Sequence, residues 1–221
     1  MHGKLESGKN PTFETLNNHL EPLRQKWIEK FRCIYGPPPS ELPPLQAVNH
    51  SIPLIDADAQ YSLRPPQCAA ALFPLLCEKT ECYTNAKWWE PAHRKGALPL
   101  LILTKPGKEL KIQTVLDTRE WNANTVIDST PLPNQDIIRE AVASSPYVSI
   151  INISDAYEQM CIVPDGVKKT LFSSPLGTYV SNVLQQGDCN GPSSWQRLMT
   201  YVFCDKIGIA VWVYLVCLPP W

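Results

Sequence analysis

Proline sets the first limit on this chain. Of its 221 residues 22 are proline, and each fixes φ near −65° and removes a backbone donor. No helix interior or central strand can run through the densest stretches. GPPPSELPP, at residues 36–44, is such a stretch and reads as a stiff extended linker. The other prolines cut the chain into short elements joined by rigid turns. The expected organisation is an N-terminal helical extension (1–36), the proline-rich linker (37–46) and two further regions, 47–146 and 147–221.

With 44% hydrophobic and 19% charged residues, the balance is that of a globular protein. The formal net charge of −1 supplies no overall basic field, so contact with nucleic acid would need a local patch. Eight cysteines, at 33, 68, 77, 82, 161, 189, 204 and 217, include no C-x-x-C pair and mostly lie in apolar runs. They read as buried reduced thiols rather than as a disulfide framework or a zinc site. MHGKLESGKNPTFETL lacks the apolar centre of a secretory signal, and the last apolar run, 207–218, is shorter than the ~20 residues that a membrane helix needs. An intracellular protein without a membrane partner is expected.

Local patterns place the elements. Phe13, Leu16, Leu20, Leu23, Trp27, Phe31 and Ile34 recur at intervals of three and four, giving one apolar face to a helix that opens near Thr12 and ends at Gly36. Residues 48–55 read as extended. Residues 65–83, behind a proline pair, read as a helix. Residues 98–103 and 111–116 form a hairpin with a basic tip, Lys105, Lys108 and Lys111, which faces either solvent or phosphate. A short helix follows at 134–142. A second hairpin, 171–174 with 178–184, turns at Pro175-Leu176-Gly177. Trp195, Leu198, Met199, Val202 and Phe203 then mark a helix that begins at Asn190, and residues 209–215 read as a strand.

Residues 147–163, YVSIINISDAYEQMCIV, join these parts. Val148, Ile150, Ile151 and Ile153 suggest a buried strand that breaks at Ser154-Asp155-Ala156-Tyr157 and resumes as a second apolar run. Asn152, a neutral amide, stands near the strand end. His50 and His93 have no partners at ligand spacing. Trp88, Trp89 and Trp121 could stack on bases, but they read as packing.

VLDTREWNANTVIDSTPLP (115–133), INISDAYEQMCIVPDGVKKTLF (151–172), GTYVSNVLQQGDCNGPSSWQRLMTYVF (177–203) and VWVYL (211–215) resemble, in order and spacing, the finger and palm motifs of reverse transcriptases of gypsy-type long-terminal-repeat retrotransposons. The resemblance spans residues 30–216. It implies an α+β fold: the fingers (47–146) and partial palm (147–221) of a right-hand polymerase, with a split β-α-β palm truncated before the thumb. It also implies RNA-directed DNA polymerase activity and a template-primer partner.

The family's chemistry is phosphoryl transfer through two magnesium ions about 4 Å apart, held by carboxylates. The matching positions here are Asn152, Val216 and Cys217. An amide, an isopropyl group and a thiol replace three negative charges, so no magnesium cofactor is expected for this chain. Asp155 is the nearest acid. The family's triphosphate-binding arginine falls at Gln113, which removes a bidentate cation. Asp117, Arg119, Asn122, Asp155, Tyr157, Lys169, Gln186 and Gly187 match nucleotide- or template-contacting positions. Tyr157 matches the aromatic under the nucleotide sugar, and Gln186-Gly187 the loop against nucleotide and template.

Two functions follow. The first is a degenerate reverse transcriptase without polymerase activity of its own. The second is a non-catalytic module that keeps the fold and binds nucleic acid or another polymerase chain. The ending VCLPPW reads as a frame-shifted or mis-spliced terminus. The 209–215 strand would then lack its hairpin partner, favouring aggregation or an outside partner.

Overall fold

The computed structural model describes residues 13–34, 40–59, 61, 65–93, 96–105, 111–146 and 148–213. The chain divides into two compact units, 1–39 and 40–221. In the first, α1 (Phe13–Lys30) carries the expected amphipathic pattern and runs into a 3-10 turn at Arg32–Ile34. The predicted stop at Gly36 lies outside the described residues. Among those described, no helix is long and apolar enough to cross a membrane.

The second unit is a mixed α+β structure. Its elements, in chain order, are α2 (Phe73–Asn85), β1 (Trp89–Pro91), β2 (Leu98–Lys105), β3 (Lys111–Leu116), α3 (Arg119–Ala123), α4 (Gln135–Ser144), α5 (Pro164–Val167), β4 (Phe172–Ser174), β5 (Gly177–Ser181) and α6 (Gly191–Val202). The helix expected over 65–83 instead begins with a 3-10 turn at Ala70–Leu72 and becomes α-helical at Phe73. The proline that opens it is Pro74, in the first turn, where a missing N–H costs nothing.

The five strands are ordered β1-β5-β4-β2-β3. Both predicted hairpins form. β2 and β3 pair antiparallel from Leu100 opposite Leu116 to Lys105 opposite Lys111, and the tip, 106–110, lies outside the described residues. β4 and β5 pair antiparallel around Ser174 and Gly177. A short parallel joint, Leu98 with Phe172 and Pro99 with Ser173, connects the hairpins. Pro99 is tolerated near the start of β2, where its carbonyl accepts the Asp117 N–H at 3.0 Å.

Two apolar clusters hold this unit together. The larger joins Leu76 and Tyr83 of α2 to Trp89, Leu100, Phe172 and Val183. Edge-to-face ring contacts, Tyr83 to Trp89 at 4.9 Å and Trp89 to Phe172 at 4.9 Å, tie α2 to the sheet, and each such pair contributes about 0.5–1.5 kcal/mol beyond its buried area. Trp88, Trp89 and Trp121 are core residues, as the packing reading has it. The smaller cluster sets Trp195, Leu198 and Met199 of α6 against Met160 and Leu184. Val202, also on the predicted stripe, is exposed.

Residues 147–163 split in two. Residues 160–163 are extended and bridged, His50 to Ile162 in parallel and Cys161 to Val183 antiparallel. The predicted buried strand over 148–153 does not form: Ile150 is 93% and Ile151 83% exposed, and the described residues there have no regular structure. Strand preference is realised through a paired neighbour, and none of the described residues forms a ladder with this stretch. The predicted strand at 209–215 is likewise absent as far as Val213. Gly208 turns at φ +80°, and the Lys206 carbonyl accepts the N–H groups of Ala210 and Val211 at 3.0 and 3.1 Å, leaving Ile207 and Val211 in one isolated bridge. The split β-α-β arrangement therefore has its helix, α6, without those two flanking strands in the described residues.

The described cysteines are all free thiols, as expected. Of these only Cys161 is buried; Cys33, Cys82 and Cys204 are exposed. Lying within an apolar run is not enough to bury them: Cys82 is on an outward face of α2, and Cys204 lies in the turn that follows α6.

Candidate functional site

The loop from Gln185 to Asn190 gathers most of the residues singled out by the sequence. Gly187 sits at φ +120°, and a Cβ there would lie 2.4 Å from the Leu116 carbonyl oxygen and 3.1 Å from Thr118 Oγ1. Only glycine meets both conditions without strain. The close approach lets the Gly187 carbonyl accept from Thr118 Oγ1 and from Asn122 Nδ2, the latter at 2.9 Å. Asn122 Oδ1 accepts the Cys189 N–H at 3.1 Å. Nearby, the Leu116 N–H donates to the Gln186 carbonyl at 2.9 Å, and Gln113 Nε2 donates to Gln186 Oε1.

Gln113, Asn122, Gln186 and Gly187 therefore form one hydrogen-bonded junction between the end of β3, α3 and the loop before α6. Asp117 and Arg119 stand at its edge. Arg119 donates to Asp117 through Nε and Nη2, both at 2.7 Å. These bonds to Asp117 raise the guanidinium pKa further. The Arg119 side chain is 74% exposed, while Asp117 is largely covered.

Asp155 and Tyr157 are placed differently. Asp155 is exposed on the 154–156 turn, in the left-handed region at φ +45°. Tyr157 opens a 3-10 turn, Tyr157–Gln159, and its ring lies against Gly191, the first residue of α6. Tyr157 thus packs on the smaller core cluster while it neighbours the loop. Lys169 is apart from the junction: its Nζ donates to the Ile52 carbonyl at 2.6 Å, which ties down the 48–55 segment.

The resemblance implies magnesium, and the available donors can be weighed against it. Asn152 is exposed, Asp155 is the sole acid within residues 148–157, and Val216 and Cys217 lie outside the described residues. An amide and a single carboxylate do not offset the dehydration of a hard divalent ion, which prefers several charged oxygens. Among the described residues no group of three His, Cys, Asp or Glu side chains converges on a metal-sized position. These residues do not fit the ion.

Sequence spacing missed a buried network. His50, which looked partnerless, has Nε2 2.7 Å from Asp188 Oδ2 and Nδ1 2.9 Å from Ser194 Oγ. His50 and Ser194 are buried, so the arrangement is closed to a substrate and acts as a pin between residues 48–55, the loop and α6. Asp188 Oδ1 also accepts the Asn190 N–H at 2.7 Å. Asn190 accepts the Asp128 N–H at 2.9 Å and donates to the Val126 carbonyl at 2.9 Å. Burial alone would push the Asp128 carboxyl up, but hydrogen bonds from Thr130 and the Arg197 guanidinium together hold it below the usual range. No sequence signal links 50, 188 and 194, which meet only through tertiary packing.

A second buried carboxylate belongs to Glu158, beside Tyr157. Tyr83 Oη donates to its Oε1 at 3.2 Å. Burial pushes the Glu158 carboxyl above its ordinary value. Burial, with the neighbouring Glu158 charge, raises the Tyr83 phenol as well.

No family model matches the chain. Over 111 residues, 50% of its length, it is 25% identical to the retrovirus-related Pol polyprotein from transposon opus of Drosophila melanogaster. It is 29% identical over 105 residues, 48% of the chain, to the polyprotein from transposon 297, and 28% identical over 110 residues, 50% of the chain, to that from transposon gypsy, both of the same organism. The matched stretches are 11%, 10% and 10% of those relatives, so the chain spans about a tenth of the length of the curated relatives it matches. Among solved structures it is similar to the foamy viral protease-reverse transcriptase in complex with RNA/DNA hybrid, with a TM-score of 0.70 at 16% identity over 90% of this chain and 26% of that one. The same viral protein in complex with dsDNA gives 0.68 at 18% identity, over 90% and 41%. At those identities the structural likeness concerns the fold. The chain is similar to retrotransposon Pol polyproteins over half its length, and its α+β fold is that of part of a reverse transcriptase.

Proposed function

We propose that this chain is a reverse transcriptase-like domain that does not extend primers by itself. The observation that carries the reading is Asn152, an amide where the resembling family places a metal-binding aspartate. Two-metal phosphoryl transfer needs carboxylates to hold the ions that activate the attacking hydroxyl and stabilise the leaving oxygens. Asp155, exposed on its turn, is one acid where the family uses three. Gln113 supports the same reading, because its amide is engaged with Gln186 and offers a triphosphate no cationic fork. The test is primer extension by the full chain on an RNA or DNA template with magnesium or manganese. No incorporation above background is expected, and any template-dependent incorporation overturns the proposal.

A second reading, a module that binds nucleic acid or another polymerase chain without chemistry, is favoured by Arg119. Its guanidinium is held by Asp117 and remains largely exposed beside the rigid Gln186-Gly187 junction. The similar foamy viral proteins are in complex with RNA/DNA hybrid and with dsDNA, and a template-primer is the corresponding partner here. A salt-dependent gel shift with a primer-template duplex, weakened by Arg119→Ala, supports this reading. Insoluble expression without a folded species counts against it.

A further inference from the structure

We propose that α1 is a docking helix for a partner α-helix whose apolar seam is flanked by Asp and Glu. This inference is independent of the fate of the polymerase chemistry. Phe13, Leu16, Leu20, Leu23, Trp27, Phe31 and Ile34 recur with a mean spacing of about 3.5 residues, the period of a heptad seam rather than of a helix lying on a globular core. Within α1, Trp27 is 53% exposed, Leu23 is exposed and Leu20 is half-buried, and just past the helix Phe31 and Ile34 are exposed as well. Trp27 and Phe31 stack with ring centroids 5.4 Å apart, which presents one continuous aromatic surface.

The charges select the occupant. At 100° per residue, Arg24 borders the stripe on one side and Lys26 and Lys30 on the other. Lys30 also reaches over the seam, with Nζ 4.9 Å from the Trp27 ring centre and 5.3 Å from that of Phe31. Glu21 and Glu29 fall on the back of the helix, where Glu21 accepts from Gln25 at 2.8 Å and pairs with Arg24. Pro22 is also on the back, where it removes one i→i−4 bond from the helix interior.

A second copy of α1 would set cationic borders against cationic borders, which is unfavourable at flanking heptad positions. A lipid surface takes a broad apolar face, whereas this stripe is narrow. An acid-flanked helix answers both the seam and its borders, with an acidic side chain opposite Lys30.

The test titrates the full chain, by calorimetry, with four-heptad synthetic helices that carry Leu and Ile in the seam and either Glu or Lys at the flanking positions. The Glu peptide should bind at least roughly tenfold more tightly than the Lys peptide, and its affinity should fall as salt rises. Leu23→Asp with Trp27→Asp should abolish binding. Both side chains are exposed, so the fold is not at stake. Lys26→Glu with Lys30→Glu should reverse the preference between peptides. Equal affinity for the two peptides, binding of neither, self-association of the chain abolished by Trp27→Asp, or uptake by anionic vesicles without peptide binding would each overturn the proposal.

Discussion

Gly187 and Leu116 approach so closely that one added carbon on the glycine would lie 2.4 Å from the leucine carbonyl oxygen. Gly187→Ala must therefore move the loop away from β3 and also bear a φ of +120°. The expected loss is about 1–3 kcal/mol, read as a lower urea midpoint. An unchanged midpoint would mean that the junction is looser in solution than its hydrogen bonds imply.

His50 pins three segments that are distant in sequence, so its removal should be felt at two partners. His50→Ala strips Asp188 and Ser194 of a buried bond each; Ser194 Oγ keeps the Arg197 guanidinium at 3.4 Å and Asp188 keeps the Asn190 N–H, so the expected loss is about 1–3 kcal/mol in all. Ser194→Ala should cost less, and the double variant should cost less than the sum of the singles, because the two share one hydrogen bond. Additive losses in chemical denaturation would show that the pair does not act as a unit.

Ile150 and Ile151 are almost fully exposed. Lysine at both positions should change stability by no more than about 0.5 kcal/mol and should raise the soluble yield, since a charge breaks a β-prone apolar run. A large destabilisation would reveal that something covers this stretch in solution.

Glu158 gives a pH signature. Its folded pKa is raised by burial, so its contribution to stability is fully present below the unfolded value, about 4.3, and is lost as pH rises through the folded value. Glu158→Gln keeps an acceptor for Tyr83 Oη and removes that dependence. The variant should melt higher than the parent at neutral pH, and the difference should close on acidification. A gain of 1 kcal/mol would register as roughly 2–4 °C. The Lys79 charge acts on Glu158 in the opposite sense to burial, and a variant that melts lower at neutral pH would show that this attraction outweighs the burial.

The local elements were legible because their signals are local. The turn at Pro175-Leu176-Gly177, the spacing of Trp195, Leu198 and Met199, and the β-rich runs at 98–103 and 111–116 on either side of a Lys-Pro-Gly-Lys tip each carry their own geometry. The run at 148–153 misled for the converse reason: a β-branched pattern states a preference, and only a bonded neighbour turns it into a strand. At the site, Asn122, Gln186 and Gly187 were visible through their resemblance to known motifs, and the structure brings them together with Gln113. Lys169 was matched in the same way but is engaged with the Ile52 carbonyl. His50 could not be found, because its partners lie 138 and 144 positions away.

The parallel joint between Leu98-Pro99 and Phe172-Ser173 carries a kinetic consequence. Each hairpin closes on its own over a short loop, but the joint waits until β3, α3, α4 and α5 have been threaded between its two halves. Closing so long a loop is the slow, entropically opposed step in assembling such a sheet. A conservative truncation at Phe172 should therefore slow refolding, whereas one at the β3 end of the first hairpin should mainly hasten unfolding. Stopped-flow refolding of the two variants would measure the contrast, and equal folding rates would place the barrier elsewhere.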